Sequence, residues 1–487
     1  MCGIVGVFNH PQASAMAYYA LHALQHRGQE AAGIVTVYTD QQKQRSRFGV
    51  HKGEGLVLDV FSHHDVFTKT LPGRSAIGHN RYSTTGSSSI ANIQPFHFNY
   101  ANGNLALAHN GNLTNTRVLR DTLKQQGSIF QTTTDSELFL HLIARSKQST
   151  QLEQIREAIS TARGAYSLVM LSETALYAAR DPDGFRPLCI GRIKHDEGYA
   201  YVVASETCAL DILSAEYIRD VAHNEIVVID ENTVRTGEIT SHVIDPENSH
   251  GAHHCIFEYI YFSRPDSKIF GHAVDKVRRK LGKTLAEESP IPGTQDDKAI
   301  VIAVPDSGNT ATLGYARNNE KLGNASRYEI GLIRSHYVGR TFIAPGQDKR
   351  EFKVKTKFNV VRGVLEGNRV VVIDDSIVRG TTSRSLVNLI REAKPREVHL
   401  RITSPPVKHP CMYGMDFPSR EELIANHYAT DTEIGTALGV DSLAYLSVDG
   451  MLNAVPQESG CGYCTACFSG VYPVDVDAIA SKYITEE

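Results

Sequence analysis

The chain has 487 residues, 41% of them hydrophobic and 21% charged, and a formal net charge of −4. That length suits two or more domains with ordinary buried cores, and the charge balance gives no electrostatic case for nucleic acid or an anionic membrane as partner. The longest apolar runs, 299–304 and 370–373, are strand-length, far short of the roughly 18 residues a membrane span needs.

In chain order, the first half carries short apolar runs at 4–8, 33–38, 76–78, 105–108, 165–171 and 201–204, separated by Gly, Asn and other turn residues. Many short strands so punctuated predict antiparallel sheets. Helices are predicted at 16–25 and 136–144, the second after the capping sequence Thr132-Thr133-Thr134-Asp135. A cluster of Pro, Asn, Ser and Gly at 245–253 marks a domain junction. Beyond it a strand at 299–304 leads through Pro305-Asp306-Ser307-Gly308 into a helix ending near 318. A second strand, 370–373, leads through 374–382 into a helix at 383–393, and a third strand follows at 398–402. This order is a parallel α/β unit. The N-terminus MCGIVGVFNH shows no basic segment feeding a long apolar one, so a cytoplasmic location is expected.

The first chemical feature is Cys2. Once Met1 is removed, its own α-amino group, with an ordinary pKa of about 7.7–8, can act as base beside the thiol. Alone, such a cysteine reads more readily as an incidental buried thiol. It is followed in order by His26-Arg27-Gly28-Gln29-Glu30, Gly78-His79-Asn80-Arg81-Tyr82-Ser83-Thr84, Asn92-Ile93-Gln94-Pro95-Phe96, His109-Asn110-Gly111-Asn112-Leu113 and Thr134-Asp135-Ser136-Glu137. With these motifs, residues 2–240 closely resemble the class II glutamine amidotransferases, which have the N-terminal-nucleophile hydrolase fold. The resemblance implies that Cys2 attacks the glutamine side-chain amide, forming a thioester and releasing ammonia. It implies an oxyanion hole from the Asn110 side chain and the Gly111 N–H. Arg81 would pair with the α-carboxylate of glutamine and Asp135 with its α-ammonium.

The second feature is Val370-Val371-Val372-Ile373-Asp374-Asp375-Ser376-Ile377-Val378-Arg379-Gly380-Thr381-Thr382. Four apolar residues make a buried strand. Two acids stand at its carboxyl end, where ligands bind in open α/β sheets, and a small polar loop opens a helix whose N-terminus favours phosphate. This stretch resembles the type I phosphoribosyltransferases. In that resemblance Asp374 and Asp375 meet the ribose hydroxyls and a Mg²⁺ ion on phosphoribosyl pyrophosphate, Ser307 offers a metal-side hydroxyl, and Ser376, Val378, Arg379, Gly380, Thr381 and Thr382 hold the 5′-phosphate. Tyr337-Val338-Gly339-Arg340-Thr341-Phe342 resembles the family's closing loop. Arg334-Ser335-His336 precedes it where relatives carry Lys-Asn-Arg, so the charge at position 336 depends on pH here.

The joined halves resemble the glutamine phosphoribosylpyrophosphate amidotransferases. The expected chain is α/β and α+β: an N-terminal-nucleophile αββα sandwich over 2–245, a type I phosphoribosyltransferase domain with a parallel sheet over 255–470, and a tail over 471–487. The expected reaction converts phosphoribosyl pyrophosphate, glutamine and water to 5-phosphoribosylamine, glutamate and pyrophosphate, the first committed step of purine synthesis. The resemblance also implies a homotetramer inhibited by purine nucleotides. Two rivals are another class II amidotransferase, opposed by the 374–382 motif, and a non-catalytic purine or oxygen sensor, opposed by the intact Cys2, Arg81, Asn110 and Asp135.

Eight cysteines occur, three of them within Cys461-Gly462-Tyr463-Cys464-Thr465-Ala466-Cys467. By spacing alone they could bind zinc, bind an iron–sulfur cluster or remain thiols. One branch of the resembled family carries a [4Fe–4S] cluster, and the resemblance assigns its ligands to Cys255, Cys411, Cys461 and Cys464, with Cys467 at a non-ligand position but an available substitute. Cys189 and Cys208 are expected to be ordinary buried thiols.

Overall fold

A computed structural model describes residues 1–40, 45–82, 89–247, 250–335, 357–417 and 419–476. Ser83, Thr84, His336, the closing-loop sequence 337–342 and tail residues 477–487 lie outside the described residues.

The predicted strands of the first half form two antiparallel sheets. One runs in the order Glu216–Asp220, Cys189–His195, Gly198–Ala204, Gly3–Phe8, Ser75–Arg81, Ala31–Asp40, Arg45–Glu54. The other runs Thr240–Val243, Glu225–Asp230, Ala175–Arg180, Gly164–Ser172, Gly103–Leu113, Phe96–Tyr100. Their facing sides interdigitate through Ile4, Val35 and Ile77 from one sheet and Ala106, Val169, Leu171 and Ala178 from the other. The outer face of the first sheet is covered by Ala13–Ala23, whose Ala17 and Leu21 pack on Val5, Ile34 and Val202. Thr116–Gln125, Glu137–Arg145 and Gln151–Thr161 cover the second, burying Leu123, Leu138, Phe139, Ile155 and Ile159 on Leu107, Leu168 and Met170. The result is four layers, helix–sheet–sheet–helix, as two one-faced apolar sheets require.

The second half centres on a parallel sheet ordered Ser326–Tyr328, Ala299–Ala303, Arg369–Asp374, Glu397–Ile402, Ser442–Tyr445. Alternate residues serve opposite faces: Val301 and Val371 pack with Leu281, Ala311 and Tyr315, while Ile302, Val370 and Val372 pack with Leu386, Val387 and Ile390. In chain order this is a 2-1-3-4-5 sheet. Its switch point lies between Ala299–Ala303 and Arg369–Asp374, where ligands bind in such sheets. The described tail docks on residues 410–413: Tyr472 Oη donates to Pro410 O at 2.6 Å and Tyr413 Oη to Val474 O at 2.8 Å. Among the described residues, no helix is long and apolar enough to cross a membrane.

Candidate active sites and a cysteine cavity

Cys2 stands at the start of a central strand of the first sheet, and Arg81 ends the strand beside it, which pairs Gly3 with Asn80. Asn110 and Gly111 lie on the Gly103–Leu113 strand of the facing sheet, and Asp135 lies in the turn before Glu137–Arg145. The fold gathers Cys2, Arg81, Gly111 and Asp135 into one pocket, together with His79, Tyr82, Asn92, Gln94, His109, Thr134 and Ser136.

Asn110 is fully buried and its amide is split between two jobs. Its Oδ1 accepts from Cys2 N at 3.0 Å. Its Nδ2 has no hydrogen-bond partner among the described residues. A buried amide donor left open is costly unless a ligand satisfies it. Gly111 is required by close approach, since a Cβ there would sit 2.0 Å from Ala165 O. The Cys2 thiol donates to Tyr82 O at 3.6 Å. The carboxylate of Asp135 is fixed by Leu113 N at 2.9 Å and the Ser136 hydroxyl at 3.3 Å.

The sequence motifs contain the rest of the wall but assign it no role. Gln94 accepts from His109 N at 2.8 Å and donates to Ser136 Oγ at 3.0 Å, and His109 Nδ1 meets the same hydroxyl at 2.8 Å. Burial pushes the His109 pKa down against the opposing pull of Asp135. His79 is pushed down to about 3 by burial and then by Arg81. Both rings are therefore neutral donors and acceptors near neutral pH.

The pocket floor is tied to the second unit by buried charge. Arg27 Nε donates to Cys2 O at 3.0 Å, and its Nη2 donates to Glu258 at 2.8 Å. Arg27 also pairs with Glu206, which meets His26 at 2.7 Å. Burial alone would raise the Glu206 carboxyl, but His26 and Arg27 outweigh it and hold the group well below the usual range. Asn112 Nδ2 donates to Met412 O at 2.9 Å. At Gly414 a Cβ would lie 3.1 Å from the Gly111 carbonyl, so the 411–414 segment presses directly on the backbone of Gly111.

In the parallel sheet, Asp374 ends the middle strand and Asp375 follows it, across the crevice from Ser307. Asp375 N donates to Asp374 Oδ1 at 2.9 Å, and Ser376 Oγ donates to Asp375. Burial and the neighbouring carboxylate push Asp374 well above the ordinary range. Burial raises Asp375 too, against its Ser376 and Ser307 hydrogen bonds. Two adjacent carboxylates, Asp375 buried and Asp374 half-buried, resist full ionisation together, which is the electrostatic setting of a divalent-ion site with oxygen ligands. Gly380, at φ +75°, caps the helix Thr381–Arg391, and a Cβ there would meet Ile424 at 2.3 Å. Ser376, Val378, Arg379, Thr381 and Thr382 share the loop and helix N-terminus between these points. The Arg379 side chain is turned outward, where its Nε donates to Glu422 at 2.9 Å.

An apolar cavity at the junction of the two units is lined by Cys255, Cys411, Cys464 and Cys467, with Phe185, Phe257, Tyr413, Met415, Phe417 and Ala466. The lining differs at one position from the expected set Cys255, Cys411, Cys461 and Cys464. Cys467 stands on the cavity wall and Cys461 does not. Cys461 and Cys464 bound one strand, Cys461–Cys464, and an offset of three residues turns them to opposite faces. Cys467, in the turn of helix Ala466–Ser469, comes back to the cavity side. Burial raises the Cys255, Cys464 and Cys467 thiols. The fully buried Arg186 opposes this at Cys255; its Nη1 makes no hydrogen bond among the described residues and lies 3.5 Å from Glu258. No three of the described cysteine sulfurs lie mutually within 4.8 Å. A single tetrahedral zinc with Zn–S bonds of about 2.3 Å would need them about 3.8 Å apart. Four thiols around a wider apolar space beside a buried cation suit an anionic iron–sulfur cluster better.

Comparison with known proteins covers both halves at once. Residues 79–211 match the family model of the glutamine amidotransferase domain. The amidophosphoribosyltransferase of Bacillus subtilis (strain 168) is 46% identical over 98% of this chain and 94% of its own length. That of Methanocaldococcus jannaschii is 44% identical over 98% of each chain. The solved structure of an allosteric regulatory enzyme of purine biosynthesis superposes with a TM-score of 0.88 at 45% identity, covering 100% of this chain and 99% of that one. Glutamine phosphoribosylpyrophosphate amidotransferase from B. subtilis, complexed with ADP and GMP, gives a TM-score of 0.86 at 45% identity over 98% of each chain. Two pockets joined across a buried ionic seam, and identity of this order over nearly the full length of each relative, place this chain in the amidophosphoribosyltransferase family.

Proposed function

We propose that this chain hydrolyses glutamine at Cys2 and delivers the ammonia to phosphoribosyl pyrophosphate, forming 5-phosphoribosylamine, glutamate and pyrophosphate. The observation that carries the first half is the divided amide of Asn110. With Met1 removed, the Cys2 nitrogen becomes the α-amine, still held by Asn110 Oδ1, while Nδ2 keeps an open donor between the pocket-lining His109 and Gly111 in the chain.

The thiol proton passes to this amine as sulfur attacks the side-chain carbonyl carbon of glutamine. Asn110 Nδ2 and Gly111 N–H receive the oxyanion. The amine returns its proton to the leaving nitrogen, ammonia departs, and water cleaves the thioester by the same base. Arg81 and Asp135 hold the two charged ends of the amino acid. At the second site, ammonia attacks the anomeric carbon as the bond to pyrophosphate breaks. Asp374, Asp375 and Ser307 would hold Mg²⁺, which when bound neutralises charge on the departing pyrophosphate. Gly380, Thr381 and Thr382 offer the helix N-terminus to the 5′-phosphate. Cys255, Cys411, Cys464 and Cys467 would hold a [4Fe–4S] cluster, a structural tie between the tail and both units. Assembly as a homotetramer and inhibition by purine nucleotides belong to the same proposal, the latter supported by the related structure that holds ADP and GMP.

The test is one coupled assay with metal analysis on the same anaerobic sample. Cys2→Ala should lose glutamine-dependent synthesis and keep ammonia-dependent synthesis; loss of both overturns the two-site mechanism. Wild-type protein should contain four iron and four sulfide per chain. Cys467→Ser should lower that content and Cys461→Ser should leave it intact, and the reverse result restores the Cys461 assignment.

A further inference from the structure

Outside these sites, one group of metal-binding side chains converges: Asp183, His250 and His253, whose ligand atoms all lie within 4.8 Å of one another. His253 Nδ1 is 2.8 Å from Asp183 Oδ1 and His250 Nδ1 is 3.9 Å from the same oxygen. Donors at about 2.0–2.2 Å from one tetrahedral ion stand about 3.3–3.6 Å apart, so the observed distances bracket what an ion requires.

Two of the three ligands are preorganised. Asp183 lies in a loop fixed by Asp181, whose carboxylate accepts from Tyr166 N at 3.0 Å and Phe185 N at 3.2 Å. Its side chain is only 5% exposed. His253 is bound to that loop through its backbone, His253 N donating to Asp183 O at 2.6 Å, and Cys255 N continues the ladder to Phe185 O at 3.1 Å. His250 closes the set from the solvent side, its side chain 45% exposed. A bare histidine–aspartate pair accounts for His253; His250 Nδ1 is turned onto the same oxygen but also lies 3.1 Å from Gly251 O, a local contact that a bound ion would replace.

We propose that Asp183, His250 and His253 bind one zinc-class divalent ion, which fastens the strand Ala252–Cys255 to the 181–185 loop. Two imidazoles and one carboxylate select zinc, nickel or cobalt over magnesium, and the open outer side leaves a place for water. The site lies at the junction of the two units and does not rest on the cluster assignment of the cysteines.

The test is equilibrium dialysis of the full-length, untagged protein against buffered zinc, with zinc and iron measured on the same sample. Wild type should retain one more zinc per chain than His250→Ala or His253→Ala, with iron content equal in all three. Zinc should also raise the thermal midpoint of wild type and leave that of His250→Ala unmoved. His250 is exposed and outside both active sites, so its variant should fold and keep full synthesis. Equal zinc in wild type and His250→Ala, no zinc in wild type, or an equal zinc-induced shift in both proteins would each overturn the site.

Discussion

The two active sites are built on opposite principles. The Cys2 pocket is walled by strands of two facing sheets, and its polar groups hold one another in fixed positions: Gln94 on His109 and Ser136, Leu113 on Asp135, Asn110 on Cys2. The crevice at Asp374 sits on loops at the open end of a parallel sheet, and its two acids oppose each other's ionisation, as the proposed cation site requires. The first site is preorganised for a transition state. The second is completed by what it binds. That contrast suits a reaction in which ammonia should be made only when the second substrate is in place. The Arg27–Glu258 bridge and the 411–414 segment supply a physical link, since both touch the nucleophile's surroundings from the second unit.

The sharpest way to break this comparison is Asn110→Ala. If the open amide donor is an oxyanion ligand, glutamine-dependent turnover should fall about 10²–10³-fold, mostly in kcat, with ammonia-dependent synthesis unchanged. An equal loss in both assays would mean that the residue only supports the fold. Asp375→Asn should show the reverse pattern. Removing a cation ligand at the crevice should cost several kcal/mol of transition-state stabilisation, about 10²-fold or more, in both glutamine- and ammonia-dependent synthesis. Saturating Mg²⁺ should recover part of it. Recovery of only the glutamine-dependent rate would contradict the assignment. Arg81→Lys keeps the charge but loses the bidentate geometry, so it should raise the glutamine KM about tenfold and leave ammonia-dependent synthesis at the wild-type rate.

What was legible in the sequence follows the range of the interactions. The parallel unit and its ligand loop were local: an apolar strand, two acids and a helix start lie within thirteen residues, and the structure keeps that order. Predicted strands were short of their true ends, as at 76–78 against Ser75–Arg81, because polar residues are buried there, His79 and Arg81 in the pocket and Asn80 against Leu21 O of the covering helix. The convergence of Cys2, Arg81, Gly111 and Asp135 was readable only through matched motifs, since nothing local brings them together. Arg27, Glu206 and Glu258 were not legible as a network, being up to 231 residues apart in the chain. The cysteines show the limit most clearly. In a C-x₂-C-x₂-C run, spacing alone does not say which two thiols face the cavity; the change from strand to helical turn after Cys464 decides for Cys467. The Asp183–His250–His253 group escaped notice because its carboxylate comes from the other unit.

The last expected effect concerns acid, and it separates the two units by stability rather than rate. His79 is fully buried, and its pKa falls from 6.5 to about 3 in the folded chain. A histidine with a lowered folded pKa takes up its proton in the unfolded state first. Its cost is therefore absent above pH 6.5, grows as pH falls below that value, and is complete at about pH 3. At pH 5 the penalty is about 2 kcal/mol, or about 4–8 °C in the midpoint of a unit of this size. His79→Leu removes the titrating group at similar volume. The midpoint of the first unit should then fall less between pH 7 and pH 5 than in wild type, measured by hydrogen exchange of its strand peptides during thermal unfolding. Peptides of the parallel sheet should show the same pH response in both proteins. If wild type and His79→Leu lose stability in parallel over that range, His79 is not the group that makes the Cys2 pocket the acid-sensitive one of the pair.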